Sequence, residues 1–178
     1  MTTATRIFEA ARIWRLGWDH FGQAAALIAD AERPHAPGLV IGVERGGRAL
    51  ATALAASLGV PAVMIGARHN ATDQIAIQAT GQVTVDLSPL AGTRLPGRIL
   101  IADDICGSGC TLAAVSRALS GEHRPVSIRA AVLCRNAGSA LAPDTWVWDV
   151  ADWVSFPWEP EPGMSTELLP PPTAARHP

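Results

Sequence analysis

Three short, continuously apolar runs constrain the fold of this chain more than any other feature. They are Leu39–Val43, Val60–Ile65 and Ile99–Ala102. Runs without polar alternation are typical of strands that are buried on both faces of a sheet. A segment of helical character follows the first run, and another follows the third. The sequence therefore predicts an α/β fold, with a mostly parallel central sheet flanked by helices on both faces.

Further elements complete this pattern. The other predicted strands are Arg12–Trp18, Val126–Leu133 and Trp146–Val150, and the predicted helices end near Ala31, Leu58 and Leu119. Asp19 is expected to cap the first helix, because a carboxylate there can accept hydrogen bonds from unpaired backbone N–H groups. Gly59 is expected to end the second helix.

Residues 68–96 carry a different pattern, in which apolar and polar residues alternate on both sides of Gly81. The alternating apolar positions are Ile75, Ile77, Val83, Val85 and Leu87. Alternation of this kind predicts a β-hairpin, and we expect its tip to be exposed and mobile.

The chain is the size of one domain, with 178 residues of which 48% are hydrophobic. This composition excludes disorder of the whole chain. We expect one domain over residues 1–163, followed by a Pro-rich tail over residues 164–178 that is irregular or disordered.

Charge and composition also exclude several classes of function. The formal net charge is −2, and all 14 fixed cations are arginines because the chain has no lysine. A nucleic-acid-binding protein needs a cationic excess, so no nucleic-acid partner is expected. No apolar run is long enough to span a bilayer, so we expect no membrane partner either.

The cysteines and the N-terminus indicate the compartment. Cys106, Cys110 and Cys134 are odd in number and do not complete a zinc-binding set, so we expect three free thiols in a reducing environment. Met1–Phe8 lacks the layout of a signal peptide. A cytoplasmic protein is therefore expected.

The stretch from Ile99 to Leu112 carries the candidate chemistry. Its apolar run ends in two adjacent acids, Asp103 and Asp104. A turn and the start of a helix follow, formed by Gly107, Ser108, Gly109, Cys110 and Thr111. Backbone N–H groups at such a turn can hold a phosphate, and ligands of open α/β sheets bind at the carboxyl ends of strands.

The two acids decide between a binding site and a plain strand-to-helix turn. Carboxylates beside a phosphate site can accept hydrogen bonds from sugar hydroxyls or bind Mg²⁺. The stretch lacks the lysine of a P-loop and the third glycine of a dinucleotide-binding motif. A sugar phosphate is therefore the predicted ligand.

These residues resemble the ribose-phosphate motif of type I phosphoribosyltransferases, in which four apolar residues and two acids precede a turn ending in Gly-x-Thr. Here the motif is Ile99–Asp104 followed by Gly109–Leu112. Arg45, Gly46 and Gly47, which follow a buried strand, resemble the pyrophosphate loop of the same family.

Two more segments agree with this family in order and spacing. Residues 68–96 lie where the family has a flexible catalytic loop. Asp152–Glu159 is similar to the small C-terminal hood of the bacterial xanthine-guanine and hypoxanthine branch, which puts the hood at about residues 144–160. The resemblance extends over roughly residues 12–160.

The resemblance implies an activity. The family transfers ribose 5-phosphate from phosphoribosyl pyrophosphate to a nitrogen of an acceptor base and releases pyrophosphate. By this resemblance Asp103 and Asp104 would hold the ribose hydroxyls and the cofactor Mg²⁺, and the turn at residues 107–111 would cradle the 5-phosphate. A homodimer or homotetramer is implied by analogy.

The resemblance also implies how pyrophosphate is held. Arg45, with the backbone N–H groups of Gly46 and Gly47, would bind it, so that Arg45 joins the two aspartates as a catalytic residue. This loop often holds a non-proline cis peptide in the family. Arg68 is a further pyrophosphate candidate, with a solvated loop charge as the alternative.

The acceptor side departs from the purine branch of the family. Trp153 would stack on a planar base. Arg135 stands where purine enzymes have a lysine on the purine O6, and a surface role is its alternative. Gly107 replaces an aspartate that exchanges a proton with N7.

Three hypotheses remain open from the sequence. The first is a 6-oxopurine phosphoribosyltransferase for guanine, xanthine or hypoxanthine. The second is a transferase for another planar or anionic acceptor in specialised metabolism. The third is a non-catalytic sensor of phosphoribosyl pyrophosphate or of a nucleotide.

Overall fold

The structure, a computed structural model, describes residues 7–69, 83–123, 125–139 and 141–178. Its helices are α1 (Trp18–Glu32), α2 (Arg48–Leu58) and α3 (Cys110–Glu122). Its strands are β1 (Ile13–Arg15), β2 (Leu39–Glu44), β3 (Ala62–His69), β4 (Val83–Asp86), β5 (Arg98–Cys106), β6 (Ser127–Asn136), β7 (Trp148–Val150), β8 (Trp153–Ser155) and β9 (Glu167–Leu168).

Six of these strands form the central sheet, in the order β4-β3-β2-β5-β6-β7. All neighbouring pairs are parallel except β3 with β4. The predicted α/β fold with a mostly parallel sheet is confirmed. The order places β5, which carries the two acids, in the middle of the sheet between β2 and β6.

The sheet is covered on both faces. Helices α1 and α2 pack on one face, where Val40, Leu100 and Leu133 are buried. Helix α3 packs on the other face, where Ile41 and Ile101 are buried. Successive side chains of a strand point to opposite faces, so a strand covered on both sides is apolar at every position. This explains the continuous apolar runs of the sequence.

The helix ends agree with the prediction at Gly59 and differ at Asp19. Gly59 ends α2 with a φ of 70°, in the left-handed region that favours glycine. The predicted cap at Asp19 is wrong, because α1 begins one residue earlier and its N-cap is Gly17. Asp19 lies in the first turn instead, where its negative charge interacts favourably with the helix dipole.

Strand β5 is longer than the sequence predicts. It continues past Ala102 through both acids to Cys106, because β6 pairs with it along this whole length. Asp103 lies opposite Val132, and Cys106 lies opposite Arg135. The acids are therefore held by the sheet itself.

Only one arm of the predicted hairpin lies within the described residues. Val83 and Val85 lie in β4, which pairs antiparallel with the end of β3, so that Gly66 lies opposite Asp86. The predicted arm around Ile75 and Ile77 lies outside the described residues.

A second, smaller sheet joins the two ends of the chain. Its order is β8-β1-β9, and all of its strands are parallel. We call this the hood sheet, because β8 lies in the segment that resembles the hood. The predicted hood boundary of 144–160 differs from the structure, since Trp148–Val150 belongs to the edge of the central sheet.

The disorder predicted for residues 164–178 is also wrong. Leu169 is buried, and β9 pairs with β1. Arg176 and Trp146 exchange backbone hydrogen bonds. The proline content does not prevent this docking, because these contacts use backbone groups of the residues between the prolines.

The cysteines and the helices bear on two further expectations. Cys106 and Cys134 are buried and Cys110 is exposed, and within the described residues none of the three forms a disulfide, as predicted. Among the described residues, every helix is too short or too polar to cross a membrane.

Candidate active site

The acid pair lies in the second half of β5. The Asp103 side chain is buried, and its Oδ1 accepts a hydrogen bond of 2.9 Å from the backbone N–H of Asp104. Burial and the charge of Asp104 raise the pKa of Asp103 well above its usual value. Burial, together with the charge of Glu159, raises the pKa of Asp104 to about 6. Within the described part of the chain, neither carboxylate has an ion-pair partner.

The loop between β2 and α2 packs directly on the acids. A Cβ atom at Gly46 would overlap the carboxylate of Asp104, and one at Gly47 would lie 2.9 Å from Cα of Asp103. Real Cβ atoms do not come this close to other heavy atoms. The glycines are therefore required for this close approach, and they bring the predicted pyrophosphate loop against the predicted ribose site.

The rest of this loop is open. The peptide bond between Glu44 and Arg45 is cis, as the resemblance implies for this loop. Arg45 is exposed, and its side chain makes no ion pair with the described residues. Arg48, in the first turn of α2, pairs with Glu44 instead. The Arg45 guanidinium is free to bind an anion.

The predicted phosphate turn starts α3. Gly109 is the N-cap, with a φ of 87°, and a Cβ atom there would lie only 2.5 Å from Cβ of Leu141. Ser108 Oγ accepts a hydrogen bond of 3.3 Å from the backbone N–H of Cys110. Gly107, Ser108 and Thr111 are partly exposed, and Cys110 is exposed. The turn thus leads into the N-terminus of a 13-residue helix, where an anion is favoured.

Arg68 lies on β3, which is separated from β5 by β2 in the central sheet. It lies near the end of β3, where it is exposed and paired in register with Thr84 of β4. No ion pair is formed by its guanidinium among residues 7–69, 83–123, 125–139 and 141–178. Its position at the base of the hairpin is the one the sequence predicts, and its role stays a prediction.

The guanidinium of Arg135 contacts two residues at the edge of the central sheet, and its acceptor role stays a prediction. It stacks on the ring of Trp146 at 4.1 Å, and its Nε donates a hydrogen bond of 2.7 Å to Asp149 Oδ1. Asp149 lies in β7 opposite Arg135, so the guanidinium is held against the edge strand of the central sheet. The backbone of Arg135 lies opposite Cys106, which directly precedes the phosphate turn.

Trp153 lies in β8 of the hood sheet and is 36% exposed. The other tryptophans of this region are more buried: Trp146 and Trp148 are core residues, and Trp158 stacks on Phe156 at 5.2 Å. Trp153 is thus the aromatic side chain of the hood that is free to contact a ligand.

Two residues near the site did not stand out in the sequence. Glu159 is close enough to the acid pair to raise the pKa of Asp104, and its Oε2 accepts a hydrogen bond from the Phe156 N–H. Asp149 holds Arg135. Glu159 ends the segment that resembles the hood, but the sequence assigned it no role, and Asp149 belongs to no motif of the sequence.

The donor set fits a divalent cation that is shared with a substrate. Two adjacent carboxylates without ion-pair partners, both with raised pKa values, form a site that a cation would neutralise. In the described residues no group of three or more potential ligands could hold a metal alone. This arrangement suits Mg²⁺, which is usually held by one or two carboxylates and completes its shell with substrate phosphates and water.

Known proteins resemble the chain in fold. A purine phosphoribosyltransferase from Pyrococcus horikoshii superposes with a TM-score of 0.73 at 25% identity, over 88% of this chain and 99% of that one. A xanthine-guanine-hypoxanthine phosphoribosyltransferase from Helicobacter pylori gives 0.69 at 23% identity, over 83% and 94%. No protein of curated function matches significantly.

A family model agrees with the structural likeness. The phosphoribosyl transferase domain matches residues 19–163. This range includes the loop at residues 45–47, which we call the glycine loop, together with the acid pair, the phosphate turn and the hood strand β8. The match supports a phosphoribosyltransferase enzyme and the resemblance that the motifs indicated. The chain belongs to the phosphoribosyl transferase family.

Proposed function

We propose that this protein is a Mg²⁺-dependent phosphoribosyltransferase that transfers ribose 5-phosphate from phosphoribosyl pyrophosphate to a ring nitrogen of a 6-oxopurine and releases pyrophosphate. One observation carries the proposal above the others. Gly46 and Gly47 pack on the carboxylate of Asp104 and on the backbone of Asp103 so closely that no side chain fits between. An anion at the loop and a sugar at the acids would therefore belong to one molecule.

The chemistry of the transfer follows from these groups. The bond from the ribose carbon to pyrophosphate breaks while the bond to the acceptor nitrogen forms, so positive charge grows on the sugar and negative charge on the leaving group. Arg45 and the backbone N–H of Gly46 stabilise the departing pyrophosphate. The predicted role of the Gly47 N–H is not kept, because this group donates a hydrogen bond of 2.8 Å to Val43 O. The N–H groups of residues 107–111 hold the 5-phosphate and fix the position of the sugar.

The acid pair has two tasks. Asp103 and Asp104 hold the ribose hydroxyls, and they would bind Mg²⁺, which offsets the charge of the pyrophosphate oxygens. Because burial raises the pKa of both groups, the free site holds unfavourable negative charge. A cation removes that penalty, so the unliganded site is prepared for the metal and its sugar.

The acceptor is proposed to be a 6-oxopurine such as guanine, xanthine or hypoxanthine. The Pyrococcus horikoshii relative is a purine phosphoribosyltransferase and matches over almost its whole length. Trp153 offers an exposed indole on the hood sheet, which suits stacking on a planar base.

A second candidate is a transferase for an anionic acceptor. Gly107 has no side chain to exchange a proton with the acceptor. An acceptor that is already an anion needs no such base. The guanidinium at Arg135 would also suit a carboxylate better than a lysine does.

Pyrophosphate release tests both candidates. The protein is mixed with Mg²⁺ and phosphoribosyl pyrophosphate, and guanine, xanthine, hypoxanthine and planar carboxylates are added in turn. Release with a 6-oxopurine supports the first candidate, and release only with a carboxylate supports the second. Binding of phosphoribosyl pyrophosphate without any release would contradict a transferase.

Asp104→Asn tests in the same assay whether the acid pair takes part in turnover. The change removes one charge at nearly constant volume, and we expect turnover to fall by about a hundredfold or more, the scale of a preorganised charge in an active site. Unchanged turnover would remove Asp104 from the catalytic machinery.

We also propose a cytoplasmic homodimer or homotetramer. Three cysteines that form no disulfide among the described residues support a reducing compartment, and the oligomer follows the family resemblance. Analytical ultracentrifugation of the purified protein tests the oligomer, and a monomer at micromolar concentration would contradict it.

A further inference from the structure

The C-terminal strap, defined here as residues 167–177, lies beyond the matched family domain and joins both sheets. At one end it belongs to the hood sheet, where the N–H of Leu169 donates a hydrogen bond of 2.9 Å to Arg15 O. At the other end Arg176 and Trp146 exchange two backbone hydrogen bonds of 2.7 and 3.1 Å. Between these ends Trp148 Nε1 donates to Pro170 O at 3.0 Å. The strap thus connects the sheet that carries Trp153 with the edge strand beside Arg135.

The carboxylate of Asp149 is the point where this strap meets the acceptor side. Its Oδ1 accepts hydrogen bonds from Arg135 Nε at 2.7 Å and from Trp146 Nε1 at 3.1 Å. Its Oδ2 pairs with Nη1 of Arg176. One carboxylate is therefore shared by two guanidinium groups, and the cluster keeps one excess positive charge.

This sharing sets how strongly Arg135 is held. A guanidinium binds a carboxylate best with two parallel hydrogen bonds to its two oxygens. Arg176 occupies Oδ2, so Arg135 is restricted to Oδ1, which both its Nε and its Nη2 approach. Without Arg176 both oxygens would be open to Arg135, and the pair would become stronger.

We propose that Arg176 is a positioning residue for the acceptor: by occupying one oxygen of Asp149, it keeps Arg135 less strongly held than a pair with both oxygens would, so that Arg135 can turn toward the bound acceptor. The acceptor role of Arg135 rests on the proposed function. The competition for Asp149 does not, since it follows from the contacts alone.

Steady-state kinetics with four variants test the positioning role. Arg176→Ala should raise the acceptor KM about two- to fivefold, the size of a partly exposed ion pair, and leave the KM of phosphoribosyl pyrophosphate unchanged. Arg176→Lys should restore the acceptor KM. His177→Ala, in the same strap but in contact with Thr145 and Asp144 O, should change neither KM. In an Asp149→Asn background, Arg176→Ala should have no effect on the acceptor KM.

A thermal-unfolding cycle tests the competition independently of turnover. Each arginine can take over the carboxylate when the other is absent, so the Tm loss of the double variant Arg135→Ala/Arg176→Ala should exceed the sum of the two single losses. If the wild-type protein turns over no base, the proposed function and the acceptor role of Arg135 fail together, and this cycle still decides the competition for Asp149. Additive Tm losses would overturn it, as would a KM effect of Arg176→Ala that survives in Asp149→Asn or equal shifts of both KM values in Arg176→Ala and His177→Ala.

Discussion

At the scale of residues, the geometry and the charge of the site depend on a few atoms. The missing Cβ atoms of Gly46 and Gly47 let one loop approach the two aspartates, and burial of those aspartates raises their pKa values. Strongly shifted carboxyl pKa values are common at functional sites, where stability is lost so that charge can be held in place. The acid pair should therefore cost the free protein stability.

The pH dependence of Asp104→Asn tests that cost. The carboxyl pKa of Asp104 rises from 3.8 to about 6 on folding, so its ionised form destabilises the fold above pH 6, and this penalty fades as the pH falls toward 3.8. An asparagine cannot ionise. We expect Asp104→Asn to have a higher Tm than the wild-type protein at pH 8, with a smaller difference at pH 5. A lower Tm than wild type at pH 8 would contradict the assignment.

Gly107→Asp tests the acceptor side at the same scale. The change introduces a carboxylate at the position where the purine enzymes of the family carry one, and we expect the turnover of guanine and hypoxanthine to rise severalfold, up to the hundredfold that general acid–base catalysis supplies. The readout is kcat for each base, with circular dichroism to show that the fold is kept. A folded variant without any gain would favour the anionic acceptor.

The acid pair, the loop at residues 45–47 and the turn at residues 107–111 could be predicted from the sequence, because the residues of each group are close together in the chain. The place of the Arg135 guanidinium could not. Its partner Asp149 follows 14 residues later, and Arg176 comes from the end of the chain. A side chain that chooses among distant partners leaves no pattern in the sequence.

At the scale of elements, burial and strand pairing explain which strand predictions are confirmed and which strand ends are wrong. The apolar runs predict β2 and β5 because burial on both faces excludes polar residues. The same rule ends β5 too early, at Ala102, because the acids interrupt the apolar run while pairing with β6 continues to Cys106. Hydrogen bonds to a neighbouring strand do not depend on side-chain polarity.

The hood sheet makes a prediction for Trp153. Because β8 holds this residue with its indole one-third exposed, we expect Trp153→Ala to raise the acceptor KM about fivefold to a hundredfold, as base–aromatic stacking contributes about 1–3 kcal/mol. The KM of phosphoribosyl pyrophosphate should stay nearly unchanged. If both KM values rise together, Trp153 supports the fold and does not stack on the acceptor.

At the scale of the whole molecule, the two ends of the chain meet in the hood sheet. Strand β1 lies between β8 and β9. The N-terminal strand and the C-terminal strap therefore both hold the hood sheet in place. Proline content indicated disorder for the tail, and composition could not show that Leu169 is buried. Long-range docking of this kind depends on surfaces that exist only in the folded molecule.

Two adjacent leucines test whether the strap is docked in solution. Leu169 is 2% exposed and Leu168 is 47% exposed. We expect Leu169→Ala to lower the free energy of unfolding by about 2–5 kcal/mol, and Leu168→Ala by less than about 0.5 kcal/mol. Chemical denaturation of both variants measures the difference. Equal and small losses would mean that the strap is not docked.

The most direct measurement of the central claim is calorimetric titration of phosphoribosyl pyrophosphate, with Mg²⁺, into the wild-type protein and two glycine variants. Gly46→Ala places a Cβ where the Asp104 carboxylate lies, whereas Gly121→Ala, in α3, meets nothing within 4 Å. We predict that Gly46→Ala loses affinity by about tenfold or more and that Gly121→Ala binds like the wild-type protein. Equal affinity in all three proteins, or no binding to the wild-type protein, would contradict a single site built from the glycine loop and the acid pair.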